Sequence, residues 1–231
     1  MTDARKTPAP HRKRRRLLAA AVLAAAVLTL LPAGTAEAAC SEADAPEIRI
    51  RLELPEPELI HDYASDDIPE GTVETARRVR ELNSRLHGLT VFQMETGHEV
   101  AVRQLRPGRD CFRLERLNVW IRVNKLRVYI ARELARGSCL YDVTLRHESR
   151  HVDIYSTGVK SMRDEMAKAL TGTPLTAPLR ARSVQAALTR YSTAIGTVLS
   201  DIRQKSSLEM TRDNARLDTP FAYRAEQAPC F

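Results

Sequence analysis

The chain has 231 residues, with 36 Lys and Arg against 29 Asp and Glu, and four cysteines. A formal net charge of +7 would suit a polyanion partner, but seven of the basic residues and only two of the acids fall in the first 38 positions. The rest is close to neutral, and its arginines alternate with carboxylates and apolar residues, which excludes a clustered phosphate-binding patch and a nucleic-acid partner.

Residues 1–38 read as a secretory signal peptide: a basic run from His11 to Arg16, an apolar run over 17–31, then Ala36-Glu37-Ala38 as a small-residue cleavage site. The apolar run is short of the roughly 20 residues that a bilayer span needs, so no stable membrane anchor is expected after cleavage. Glu37 stands where a lipoprotein leader would carry an apolar residue before Cys40. Residues 39–231 are then one exported domain, periplasmic or secreted. In an oxidising compartment Cys40, Cys111, Cys139 and Cys230 read as two disulfides. The favoured pairing is Cys111 with Cys139, stapling a strand to a helix, and Cys40 with Cys230, tying the termini.

Residues 47–54 alternate apolar and charged, the period of a strand with one wet face, until Pro55 and Pro57 break it. A short helical segment follows around 73–86. Residues 89–94 and 99–105, joined at Glu95-Thr96-Gly97-His98, read as a hairpin. Residues 117–123 and 126–130 read as two more strands meeting at Asn124-Lys125. Trp120 and Tyr129 are assigned to sheet packing.

Gly137-Ser138 supplies a break and an N-cap, after which Leu140, Val143, His147, His151, Ile154 and Met162 recur at helical spacing up to about Leu170. A second helix is expected from near Thr176, with Pro178 in its first turn. The predicted fold is α+β: a small, mainly antiparallel sheet, then a long antiparallel helix hairpin whose first helix carries His147-Glu148-Ser149-Arg150-His151.

That five-residue run carries the chemistry. Two histidines four apart lie on one helix face, one turn above the other, so both imidazoles can converge on one ion. Glu148 points roughly 100° around the helix, placed to act on water held by the metal rather than on the metal itself. Zn2+ is therefore the expected cofactor, with His147 and His151 as metal ligands and Glu148 as general base. Arg146 and Arg150, which flank the motif, read as solvated charges.

The stretch from Gly137-Ser138-Cys139-Leu140-Tyr141 through Leu145-Arg146-His147-Glu148-Ser149-Arg150-His151-Val152-Asp153-Ile154 resembles the core of an exported bacterial family of unknown function, described as zinc-dependent proteases with a zincin-like fold. The resemblance runs over roughly 48–227 and is specific around the motif. It implies a small sheet, the motif helix and a second long helix ending in an Asp-x-x-Thr-x-His segment, with Asp153 orienting a ligand histidine. Here Leu217-Asp218-Thr219-Pro220-Phe221-Ala222-Tyr223 resembles that closing segment, but Tyr223 stands where the family has histidine, and no histidine follows His151.

The third ligand therefore stays open. His61, His87 and His98 lie in the sheet half. Glu209 continues the seven-residue series Leu188, Ile195, Ile202 with a carboxylate. Asp201 is where simple hairpin pairing would face the motif, and Asp218 and Tyr223 belong to the closing segment. Two functions follow: an exported zinc-dependent peptidase acting on a peptide, protein or cell-wall substrate, or a catalytically inactive envelope protein, binding or structural, that keeps the fold.

Overall fold

A computed structural model describes residues 40, 44–68, 86–107, 110–171 and 174–231. The leader expected over residues 1–38 and most of the helical segment expected around 73–86 lie outside the described residues. The order is β1 (Glu47–Glu53), β2 (Glu58–Ile60), β3 (Gly88–Gln104), β4 (Cys111–Ile130), α1 (Cys139–Leu170), β5 (Leu179–Arg180), α2 (Val184–Leu217) and α3 (Pro220–Gln227).

The sheet is built on β4. β3 pairs antiparallel along nearly its whole length, from Gly88 opposite Ile130 to Gln104 opposite Phe112. On the opposite edge β1 and β2 both run parallel to β4, Glu47 opposite Arg116 and Glu58 opposite Arg127. Their offset to β4 is the same, so they are two pieces of one strand line, interrupted where Pro55 and Pro57 cannot donate to the ladder. β5 adds a short antiparallel pair at Cys111 and Phe112.

The small, mainly antiparallel sheet expected from the sequence is thus corrected. β1 and β2 are parallel to β4, and no hairpin divides residues 88–104. The expected turn at Glu95-Thr96-Gly97-His98 is mid-strand. Gly97 lies opposite Trp120, whose indole covers it: a Cβ there would fall 2.3 Å from the ring. The glycine makes room for a cross-strand aromatic instead of bending the chain. Asn124-Lys125 is no turn either; Gln93 faces Lys125 while Met94 faces Val123, so Asn124 is the extra residue of a bulge.

One face of the sheet is apolar. Leu114, Leu117, Val119, Ile121, Val123 and Leu126 of β4 meet Val159, Met162, Met166 and Leu170 of α1 and Tyr191, Ile195 and Leu199 of α2. The other face is charged, with Arg122 bridging Glu53 of β1 and Glu95 of β3.

Gly137, at φ 76°, makes the left-handed step before α1, and the Ser138 hydroxyl accepts from the Tyr141 N–H at 3.3 Å. α2 begins later than expected: Leu179–Arg180 is claimed by the sheet, and Ser183 caps the helix through the Ala186 N–H at 3.1 Å. The two helices run antiparallel, since His151 meets Asn214 and Glu165 meets Lys205. Where they cross, Gly158 lies against Met210, and a Cβ at Gly158 would come 2.5 Å from Met210 Cγ and Sδ.

The disulfides also differ from the favoured pairing. Cys40 bonds Cys111, and Cys139 bonds Cys230. The first ties the lead-in to β1 onto β4; the second ties the start of α1 to the chain's end. Both suit an oxidising compartment. Among the described residues, no helix is long and apolar enough to cross a membrane.

Gly158→Leu should overpack the α1–α2 crossing and cost about 1–3 kcal/mol, read as a lowered urea midpoint with an unchanged slope.

Candidate metal centre

The motif helix presses its histidine face towards the far end of α2. His147, His151 and Glu148 are 2 %, 6 % and 3 % exposed, so every polar atom they carry needs a partner. The partners come from three elements remote in sequence.

Asn214, in the last turns of α2, donates from Nδ2 to the Met210 carbonyl at 2.8 Å. That turns its Oδ1 towards His151 Nδ1, 2.6 Å away, so His151 carries a proton on Nδ1 and aims Nε2 inward. On His147, Nδ1 lies 3.1 Å from Glu226 Oε2 of α3 and donates to it, so Nε2 again points inward. The two Nε2 atoms are 3.2 Å apart. Asp218, which caps the C-terminus of α2, places Oδ1 at 3.3 Å from His147 Nε2 and 3.0 Å from His151 Nε2. Each of these residues brings one ligand atom, and all three atoms lie within 4.8 Å of one another, so the group could hold a metal ion.

The electrostatics agree. Burial pushes His151 down, but the hydrogen bond to Asp218 and the charges of Glu148 and Asp218 outweigh it and hold the imidazole up at about 9. His147 is likewise raised against its burial, by Asp218 first. Burial raises Asp218, yet hydrogen bonds with His147 and His151 keep it well below the usual carboxylate range. The site thus gathers positive charge, as a proton in the metal-free chain or as a cation.

Glu148 sits beside this group on the β3 side. Thr90 of β3 donates through its hydroxyl to Glu148 Oε2 at 2.8 Å and to the Glu148 carbonyl at 3.1 Å. Burial raises its carboxyl, against the lowering pull of the two imidazoles and Thr90. Gly88 makes the approach possible: a Cβ there would lie 2.7 Å from Thr144 Cγ2 and 2.8 Å from Glu148 Cγ. Tyr223 of α3 stands edge-on to His147, with centroids 4.9 Å apart, and burial pushes its phenol up.

Of the open third-ligand candidates, the structure brings in Asp218. Glu209 and Asp201 are exposed on α2. They miss the motif because α2 runs past the simple hairpin register, which puts Asn214 opposite His151. His61 bonds the carbonyls of Ala131 and Leu134, and His98 bonds Ser192. His87 Nδ1 lies 3.4 Å from Gln227 Nε2. Asp153 is exposed, and the groups that orient the histidines are instead Glu226 and Asn214. Arg150 is not merely solvated, since it pairs with Glu226.

Asn214 and Glu226 escaped the sequence reading. Asn214 had a signal: Leu199, Ser206, Met210 and Asn214 continue one buried stripe of α2 at four- and seven-residue steps. Glu226 had none, because only the fold brings α3 back over α1. Compared with protein-family models, curated proteins and solved structures, the chain finds no match.

His151, raised above its unfolded value of about 6.5, gives the metal-free protein stability that is complete below that pH and is lost as pH rises through about 9. Denaturant titrations in chelator at pH 6 and pH 10 should therefore differ by on the order of 3 kcal/mol, with pH 10 the weaker. His151→Gln should flatten the difference.

Proposed function

We propose that this chain is an exported zinc-dependent peptidase. The observation that carries the reading is the convergence of His147 Nε2, His151 Nε2 and Asp218 Oδ1 beside the buried carboxyl of Glu148. Tetrahedral zinc with bonds of roughly 2.0–2.1 Å needs ligand atoms about 3.3 Å apart, and the three separations here are 3.0, 3.2 and 3.3 Å. Three protein ligands leave a fourth position for water or substrate, as catalytic zinc sites do and closed structural ones do not. Asp218 is 40 % exposed on its side chain, so the group is reached from its side.

Zinc held there would polarise a carbonyl and lower the pKa of its water towards neutrality. The chain's residues do the rest. Glu148, raised by burial, takes a proton at its carboxylate and returns it to the leaving amine. Thr90 fixes the orientation of that carboxylate. Asn214 and Glu226 keep protons on the outer nitrogens, so both inner ones stay free to ligate. The leader over residues 1–38 and the two disulfides support export, and the resemblance around the motif supports a zincin-like protease.

One observation favours a second reading, an envelope protein that holds zinc without hydrolysis. Both histidines are almost fully covered, and Tyr223 lies against His147.

Zinc content and turnover separate the two. The purified mature domain should hold one zinc per chain, and Asp218→Ala should release most of it. Glu148→Gln should keep the zinc and lower cleavage of a mixed peptide library by roughly 10²–10⁴-fold. Stoichiometric zinc with no Glu148-dependent cleavage would leave the binding role; a zinc-free domain would remove both.

A further inference from the structure

We propose that the Cys139–Cys230 disulfide is a redox-sensitive latch on the metal centre, opened by a dithiol reductant, and that zinc affinity falls when it opens. The proposal rests on the metal reading above and adds a regulatory element to it.

Pro220–Gln227 is eight residues long and none of them is fully buried, with Tyr223 and Glu226 half-buried. A helix so short has little stability of its own in water. Yet α3 delivers Glu226 to His147 Nδ1 and to Arg150, and Tyr223 to the His147 ring. Asp218, the proposed third ligand, lies two residues before α3, at the last turn of α2. Beyond Asp218 the chain is held to α1 by the contacts of Tyr223 and Glu226, and covalently in the turn Ala228–Cys230, where Cys230 bonds Cys139 at the first residue of α1. Helix α1 is also the helix of His147 and His151. The disulfide thus closes a ring around the site: α1, the two histidines, Asp218, α3 and back to α1.

The two disulfides differ in access. In the first, Cys111 at the start of β4 is 2 % exposed and Cys40 is half-buried; in the second, Cys139 is exposed and Cys230 half-buried. A thiolate must reach a sulfur to exchange with it, so the bond with the exposed Cys139 is the one a reductant meets first. Two electrons and two protons pass from the dithiol. The Sγ–Sγ bond breaks, Cys139 and Cys230 become thiols, and the reductant becomes a disulfide. Without the tether α3 is free to leave, His147 loses the carboxylate that fixes its tautomer, and Asp218 keeps only its attachment to α2.

The test compares zinc affinity, by chelator competition, in the oxidised full mature chain and three variants. Serine pairs are used because free thiols would themselves bind zinc. C139S/C230S should bind roughly 10–100-fold more weakly and Glu226→Gln roughly tenfold more weakly, while C40S/C111S should stay within about twofold of wild type. Unchanged affinity in C139S/C230S, or an equal loss in C40S/C111S, overturns the latch. A wild type that binds no zinc overturns the metal reading and the latch with it. A second measurement needs no variant to fold: graded reduction of wild type, with mass mapping of the thiols formed, should open Cys139–Cys230 first. Opening of Cys40–Cys111 first overturns the proposal.

Discussion

Two imidazole nitrogens and a carboxylate oxygen, each about 3 Å from the other two, form a group that is unsatisfied unless positive charge sits among them. Much of the C-terminal half is arranged to impose that group. Asn214 and Glu226 occupy the outer nitrogens, so neither ring can relieve the crowding by turning its proton inward. Helix α2 continues well past the simple hairpin register, and only that extra length carries Asn214 and Asp218 to the histidines. The result is a site in which a proton and a metal ion would compete for the same place, so any metal uptake would be tied to proton release.

The sheet contributes by distance as much as by contact. Gly88 and Thr90 open β3, and β3 is fixed to β4 along its whole length, so the depth at which α1 lies over β3 is set by a rigid surface. The glycine removes the Cβ that would keep Glu148 away, and the threonine supplies the one hydroxyl that holds its carboxylate. The centre is therefore positioned by a strand on one side and by the end of a helix on the other, two elements far apart in sequence.

What could be read from the sequence follows from how local each signal is. The motif helix, its Ser138 cap and its end at Leu170 are set by neighbouring residues and were legible, as was the strand at Glu47–Glu53. The sheet's topology was not. Gly97 and Asn124 look like turn residues, but one is covered by Trp120 and the other is a bulge, and both facts depend on a partner strand far along the chain, as in the pairs Gly97 with Trp120 and Gln93 with Lys125. Asp218 was legible as one of several candidates, because its selection depends on the offset between α1 and α2. The disulfide pairing was misread for the same reason, since Cys230 comes near Cys139 only once α3 has folded back.

The shared strand line of β1 and β2 has a consequence in time. Among the described residues both pieces pair only with β4, so these two strands wait for residues 116–129. β3 and β4 are neighbours across a short connection and can close locally, whereas β1 and β2 must find β4 from far along the chain, and pairing of such high sequence separation is slow. The disulfides span 71 and 91 residues, so neither forms early by proximity. The metal group waits longest, for Asp218 and Glu226. A chain built this way stays open for most of its length and completes its candidate metal group last, once nearly all of it is present.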